Sequence, residues 1–290
     1  MRALARVCVR LGVVAAAVLW ASALLPFLSP TAEAHPNVII SGTAFIDEAG
    51  TPWTTANGGG CDGSTQNIGI SANGAASVSG SCDATTGAFS ISVHTPDSDK
   101  PLVVYLNTNG GDRGATYTVN DTRSAGISGL SLTRNLVRVR SDSTAISKWT
   151  GFMLDVFDQD QDADVPLLAG PVNLTTPASI GFQLEAGNDM TGPTNVSVGS
   201  LQVDGSITTI TQLTLTGSGT STNCAADHGT QMPLCVTGTL AKPVTTTFAG
   251  TSATQVPNLP WNSLKLAPSG PGNPTYVLGT GPGQDITTDF

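Results

Sequence analysis

The chain has 290 residues, of which 11% are charged and 5% aromatic, and its formal charge is −9. An acidic balance of this size speaks against nucleic acid and anionic membrane surfaces as partners, because both select clustered lysine and arginine. Thr, Ser, Asn and Val abound beside 33 glycines, a composition that favours strands and glycine turns over helices.

The first 34 residues read as an export signal. Arg2, Arg6 and Arg10 form a positive start, Leu11 to Leu28 is an uncharged apolar run, and Ala32-Glu33-Ala34 is a small-residue cleavage site. The run of 18 residues also just suffices to cross a bilayer, so an uncleaved anchor is the alternative. Pro26, Ser29 and Pro30 ahead of the small-residue site favour cleavage. The mature chain then begins at His35, and the loss of three arginines and Glu33 moves its charge to −11. Cys8 lies before the apolar run, where it cannot serve as a lipid-attachment site. No second apolar span follows, so no transmembrane segment is expected after cleavage, and the expected location is secreted or at the cell surface.

His35 as a first residue could chelate copper through its amino group and imidazole, with His94 or His228 as a second ligand. A solvated terminus is the simpler reading and the one adopted.

From residue 35 to 141 short alternating runs are separated by Gly, Asn and Asp turns, the pattern of a β-sandwich of about seven strands. The expected strands are Val38 to Asp47, Asn67 to Ala72, Ala76 to Ser81, Ala88 to His94, Leu102 to Asn107, Ala115 to Asn120 and Leu136 to Ser141. Six of the nine basic residues of the mature chain lie at Arg113, Arg123, Arg134, Arg138, Arg140 and Lys148. The alternation in Arg138-Val139-Arg140 predicts the wet face of one strand.

Two stretches of this half, Gly42-Thr-Ala-Phe-Ile-Asp47-Glu-Ala-Gly50-Thr-Pro52 and Asp83-Ala-Thr-Thr-Gly87-Ala-Phe89-Ser-Ile-Ser-Val93, resemble the opening strand and the D-x-x-G-x-F hairpin of carboxypeptidase-regulatory-like, transthyretin-like sandwich domains. The hairpin carries one more residue between Asp and Gly than that pattern. The resemblance covers about one hundred residues and implies a spacer or binding accessory without catalytic residues. In physical terms Gly50 and Gly87 should supply turn conformations, while Phe45 and Phe89 should point into the core. Related adhesin domains close an isopeptide bond through a strand lysine. Lys100 is the only lysine in this half before the junction, and that bond is not carried over.

Cys61, Cys82, Cys224 and Cys235 remain after signal removal, and an even number in an oxidising compartment reads as disulfides. Three pairings are possible; proximity favours Cys61 with Cys82 and Cys224 with Cys235, each worth about 3 kcal/mol. A zinc site is the alternative, but the chain contains no C-x-x-C.

Residues 142 to 165 form an Asp-rich junction in which Asp158, Asp160, Asp162 and Asp164 alternate. On a strand these carboxylates would share one face and repel, whereas in a loop the D-x-D-x-D spacing can wrap a hard cation such as Ca²⁺. Ala163 and Ala169 stand where an EF-hand needs Gly and Glu, which rejects that motif. The candidate calcium set is therefore a non-EF loop, with a solvated acidic turn as its alternative.

From 166 to 290 short apolar-x-apolar segments recur at Val196 to Val198, Leu201 to Val203, Leu213 to Leu215 and Leu264 to Leu266, which suggests a β-solenoid-like repeat or a second sandwich. Phe157-Asp-Gln-Asp-Gln-Asp-Ala-Asp-Val-Pro166 and Trp261-Asn-Ser-Leu-Lys-Leu266 are similar to the β-rung regions of large bacterial surface proteins. That resemblance covers about 140 residues. It implies a short or truncated member whose last rung exposes a strand edge, open to self-association.

Hydrolase and nucleotide motifs such as G-x-S-x-G, H-E-x-x-H and the P-loop are absent from the sequence. Asp227-His228 lies between two cysteines and reads as a surface pair rather than part of a triad. Trp53, Trp149, Trp261, Tyr105, Tyr117 and Tyr276 are scattered without the stripe that sugar stacking needs, and core packing or turn anchoring is expected for each. The expected protein is an exported, all-β, non-enzymatic structural or adhesion-type surface protein. It requires no cofactor, and its expected partners are surface or matrix glycans or proteins. A polysaccharide-acting enzyme or a carbohydrate-binding module is the alternative.

Overall fold

The computed structural model describes residues 37–72, 76–94, 101–109, 111–120, 125–155, 164–217, 233–241 and 243–249, with the backbone of three short strands beyond them. The export signal lies outside the described residues. The fold is all-β, with one short α-helix and one 3-10 turn among the described residues.

Seven strands open the chain: β1 (Asn37–Phe45), β2 (Ile68–Ala72), β3 (Val78–Gly80), β4 (Ala88–His94), β5 (Pro101–Leu106), β6 (Ala115–Val119) and β7 (Ile127–Thr133). β1 pairs antiparallel with β4 and parallel with β7, while β3, β2, β5 and β6 form an antiparallel run in that order. Ile40, Trp53, Ile68, Phe89, Leu102 and Leu130 pack together in one core. Phe89 is buried as expected, and Gly50 and Gly87 adopt positive φ.

Phe45 is a correction. The buried positions of β1 are Val38, Ile40 and Ala44, so Phe45 takes the opposite parity and is only half-buried. β7 was not among the expected strands because its alternation is broken. Gly129 sits at φ +67 and the β1–β7 register shifts between Ile40 and Gly42, so Ile127, Leu130 and Leu132 are all buried despite their uneven spacing.

The chain then visits three parallel ladders in rotation. The first pass contains β8 (Leu136–Val139), β9 (Lys148–Thr150), helix α1 (Gly151–Asp155), β10 (Leu168–Ala169) and β11 (Asn173–Thr175). The second contains β12 (Gly181–Leu184), β13 (Asp189–Thr191) and β14 (Asn195–Val198), and the third β15 (Ser200–Val203), β16 (Ser206–Ile207) and β17 (Gln212–Leu215). The fourth contains β18 (Leu234–Val236), β19 (Thr239–Leu240) and β20 (Thr245–Phe248), followed by β21 (Thr254–Val256), β22 (Leu264–Leu266) and β23 (Tyr276–Leu278). The apolar-x-apolar segments named from the sequence are β14, β15, β17 and β22.

Each strand pairs in register with its counterpart one pass later: β8-β12-β15-β18, β9-β13-β16-β19 and β11-β14-β17-β20-β22. Stacking puts like on like. Val137, Phe182, Leu201 and Leu234 form one buried row, and Trp149, Met190 and Ile207 another.

β6 also pairs parallel with β8, so the first ladder and the sandwich share one eight-stranded sheet, β18-β15-β12-β8-β6-β5-β2-β3. The change of composition at residue 141 leaves no break in that sheet, and Pro36–Phe290 forms one compact unit. The joint is made by strands buried on both faces. Leu102, Val104 and Leu106 belong to the sandwich core, whereas Val103, Tyr105, Ala115, Tyr117 and Val119 belong to the coil core with Trp149, Leu154, Val165 and Leu167. A strand buried on two sides reads as a nearly continuous apolar run, as Pro101-Leu-Val-Val-Tyr-Leu106 does. The buried Thr116 and Thr118 of β6 donate their hydroxyls to the Ser131 carbonyl and the Asp142 carboxylate.

Because both cores meet on β5, sandwich and coil should unfold together. Leu106→Ala, on the sandwich side, is expected to lower stability by about 2–5 kcal/mol. Denaturation followed by Trp149 emission, on the coil side, should shift to the same lower midpoint as denaturation followed by Trp53. Separate midpoints would contradict the shared joint.

Candidate functional site

A row of polar side chains crosses the eight-stranded sheet on the side facing away from the coil core. Thr116, Arg138, Gln183, Gln202 and Cys235 are in-register neighbours on β6, β8, β12, β15 and β18. Their sequence neighbours Val137, Phe182, Leu201 and Leu234 point inward, so alternation places these five on the outer side. Thr116, Gln183, Gln202 and Cys235 are nevertheless buried.

Buried polar groups need partners, and here the rungs supply them to one another. Arg138 donates from Nε to Gln183 Oε1 at 3.0 Å and lies 3.4 Å from the Glu185 carboxylate. Gln183 and Gln202 both donate their amide nitrogens to Asp204 Oδ2, at 2.9 and 2.7 Å, and the Thr237 hydroxyl donates to Asp204 Oδ1 at 2.5 Å. Burial pulls the Arg138 guanidinium below its ordinary pKa, against the opposing pull of Glu185 and Glu48. The arrangement clamps four successive rungs, with its donors aimed at groups of the protein itself.

The expected wet face at Arg138 and Arg140 is thus corrected. Their side chains are 14% and 19% exposed, and Arg140 is held by the Asp142 carboxylate and the Gly129 carbonyl. The arginines lie over a sheet whose outer side is covered.

A second cluster fastens the turn between β5 and β6 from both directions. Trp53 donates from Nε1 to Asp112 Oδ2 at 2.7 Å, and Arg134 lies 3.6 Å from the other Asp112 oxygen. From the opposite side Asp164 Oδ2 accepts the backbone N–H groups of Thr108 and Asn109, each at 2.9 Å. Asn109 stands at φ +54, a left-handed conformation that asparagine tolerates and that lets adjacent amides converge.

Of the four aspartates expected to hold calcium, Asp158, Asp160 and Asp162 lie outside the described residues. Asp164 is buried, and its carboxylate is bound to the β5–β6 turn. Among the described residues, no three His, Cys, Asp or Glu side chains converge as a metal site. Cys61 and Cys82 are bonded. Cys235 is disulfide-bonded too, and its expected partner Cys224 lies outside the described residues. His35, Asp227, His228 and Trp261 also lie outside them, and His94 is exposed at the end of β4. Trp53, Trp149, Tyr105 and Tyr117 are at most 1% exposed, so they serve the cores.

Sequence reasoning missed the Arg138–Asp204 network, although a signal for it exists. Phe182-Gln-Leu-Glu185 and Leu201-Gln-Val-Asp204 repeat one apolar-Gln-apolar-acid pattern nineteen residues apart, the length of one pass. Compared with known protein families, curated proteins and solved structures, the chain matches none of them.

Removing the Asp164 carboxylate leaves the Thr108 and Asn109 backbone donors without their acceptor. Asp164→Ala is expected to lower stability by about 2–3 kcal/mol, measured by chemical denaturation, with Asp164→Asn retaining part of the loss.

Two further aspartates flank the disulfide in exposed turns. Asp62 accepts from the Thr65 hydroxyl and the Thr65 and Ser64 amides, and Asp83 from the Thr86 hydroxyl and the Thr86 and Thr85 amides. These bonds, the threonine hydroxyls first, hold both carboxyls below the usual carboxylate range. A depressed folded pKa means stability that is complete above the unfolded value, about 3.9, and lost as pH falls below it. The thermal midpoint should therefore drop on acidification below about pH 4, and the Asp62→Asn, Asp83→Asn double variant should show a shallower drop.

Proposed function

We propose that the chain is a non-enzymatic structural or adhesion-type protein that acts outside the cytoplasm, secreted or at a cell surface. The observation that carries this reading is the stacking itself. Three parallel ladders stack their strands in register pass after pass, which builds an extended regular surface. A second observation supports it. The Asp112, Asp142, Asp164 and Asp204 carboxylates each bind donors or cations of the same chain, so their chemistry is used for cohesion. The disulfide between Cys61 and Cys82 agrees with an oxidising compartment, as does the sequence of residues 1–34. The partners it would meet are glycans or proteins of a surface or matrix.

Protease treatment of intact cells expressing the full chain is expected to release peptides from residues 37–249, identified by mass spectrometry, while a cytoplasmic marker stays intact. The purified protein is expected to bind whole cells or immobilised glycans. No released peptides together with no binding would overturn the proposal.

A further inference from the structure

The third ladder presents an outer face unlike the other two. One outward row runs through Asn173, Asn195, Gln212 and Thr245, which are in-register neighbours on β11, β14, β17 and β20. Two residues further along the same strands a second row runs through Thr175, Ser197, Thr214 and Thr247. The intervening Leu174, Val196, Leu213 and Thr246 are buried, whereas every member of the two rows is exposed or half-buried.

Over these four strands both rows are free of charge and of aromatic rings. The first ladder carries Arg138 on its outer side and the second carries Lys148 and Asp189 in register. In the hydroxyl row the side-chain oxygens of Thr175, Ser197, Thr214 and Thr247 have no hydrogen-bond partner within the described residues, and in the other row Asn195 donates to Asn173 at 3.2 Å. Whatever lies on this face must satisfy a grid of neutral donors and acceptors.

The grid has fixed dimensions. Neighbouring strands stand about 4.8 Å apart, and side chains two residues apart on one strand are about 6.7 Å apart. Parallel pairing keeps the hydrogen bonds evenly spaced, so the repeat holds across the rungs without alternation. The strand spacing lies close to one oxygen repeat on the prism plane of hexagonal ice, and the along-strand repeat falls somewhat short of the other. A sugar platform would offer ring faces for stacking, and a charged polymer would need opposite charge; neither is on these four strands, and Lys265, in register with Thr247 on β22, comes only at the next strand.

We propose that the outward face of the β11-β14-β17-β20 ladder is an ice-binding surface, on which the two rows seat an ordered water layer that joins the crystal. The side chains hold their register through the backbone ladder, so little order has to be imposed on binding. This property goes beyond the surface reading, and its failure would leave that reading untouched.

The full chain, purified, is tested for partition into a slowly grown ice hemisphere and for inhibition of ice recrystallisation. The wild type is expected to enter the ice and keep crystals small. Thr214→Lys, which puts a charge at the centre of the face, is expected to weaken both effects about tenfold or more, as loss of a central contact does. Ser90→Lys, on the exposed side of β4, is expected to leave them unchanged. Far-UV circular dichroism checks folding, and if Thr214→Lys fails to fold, Thr175→Lys on the first rung takes its place. Exclusion of the wild type from ice, full activity in a folded lysine variant, or capture by crystalline chitin or cellulose without an effect on ice would each overturn the proposal.

Discussion

Strand β5 belongs to two cores at once, and this double burial is the constraint on which the rest of the molecule depends. Even-numbered side chains of β5 fill the sandwich and odd-numbered ones fill the coil, so neither body can move along the joint without opening the other. The neighbouring strand has to yield for this to work. Gly69 lies opposite Tyr105, and a Cβ there would come within 2.3 Å of the tyrosine ring. Only a residue without a side chain lets the ring lie flat across β2. Asp164 and Asp112 then fasten the turn between β5 and β6 from opposite sides, which ties the acidic stretch of the sequence to the same joint.

Much of the strand content was legible in the sequence because alternation survives wherever one face is wet. β4 reads exposed and buried in strict turn from Ala88 to His94, and it was found at those residues. Where alternation failed, so did the reading. Gly129 and the bulge opposite it change the parity of β7, whereas β1 keeps one parity from Val38 through Ile40 to Ala44, so the small Ala44 and not Phe45 faces inward. Parallel pairing was harder still, since no hairpin turn announces a partner and the passes differ in length. The buried character of Arg138 depended on knowing its neighbours at Gln183 and Glu185, which stand 45 and 47 residues away and become adjacent only through the ladder.

The two outer faces show how one rule of stacking yields opposite surfaces. In the first ladder the stacked groups are long and carry charge, so they reach across rungs and consume one another's hydrogen-bonding capacity around Asp204. In the third ladder the stacked groups are mostly short hydroxyls that cannot span the gap between strands, and they stay available. Side-chain length, more than polarity, decides whether a row becomes internal mortar or an open lattice.

The passes of the coil also differ in contour length without losing register. Asn195 to Gln212 spans seventeen residues and Gln212 to Thr245 spans thirty-three, yet both steps pair in register on the same ladder. The surplus enters between β17 and β18, at a corner rather than within a rung. Lengthening a loop adds entropy cost only logarithmically, about 0.6 kcal/mol per doubling, while the ladder bonds on either side are indifferent to what the chain does between them. The corner after β17 is thus where the coil accepts extra length, because the ladder strands keep their register across a step of thirty-three residues as they do across one of seventeen.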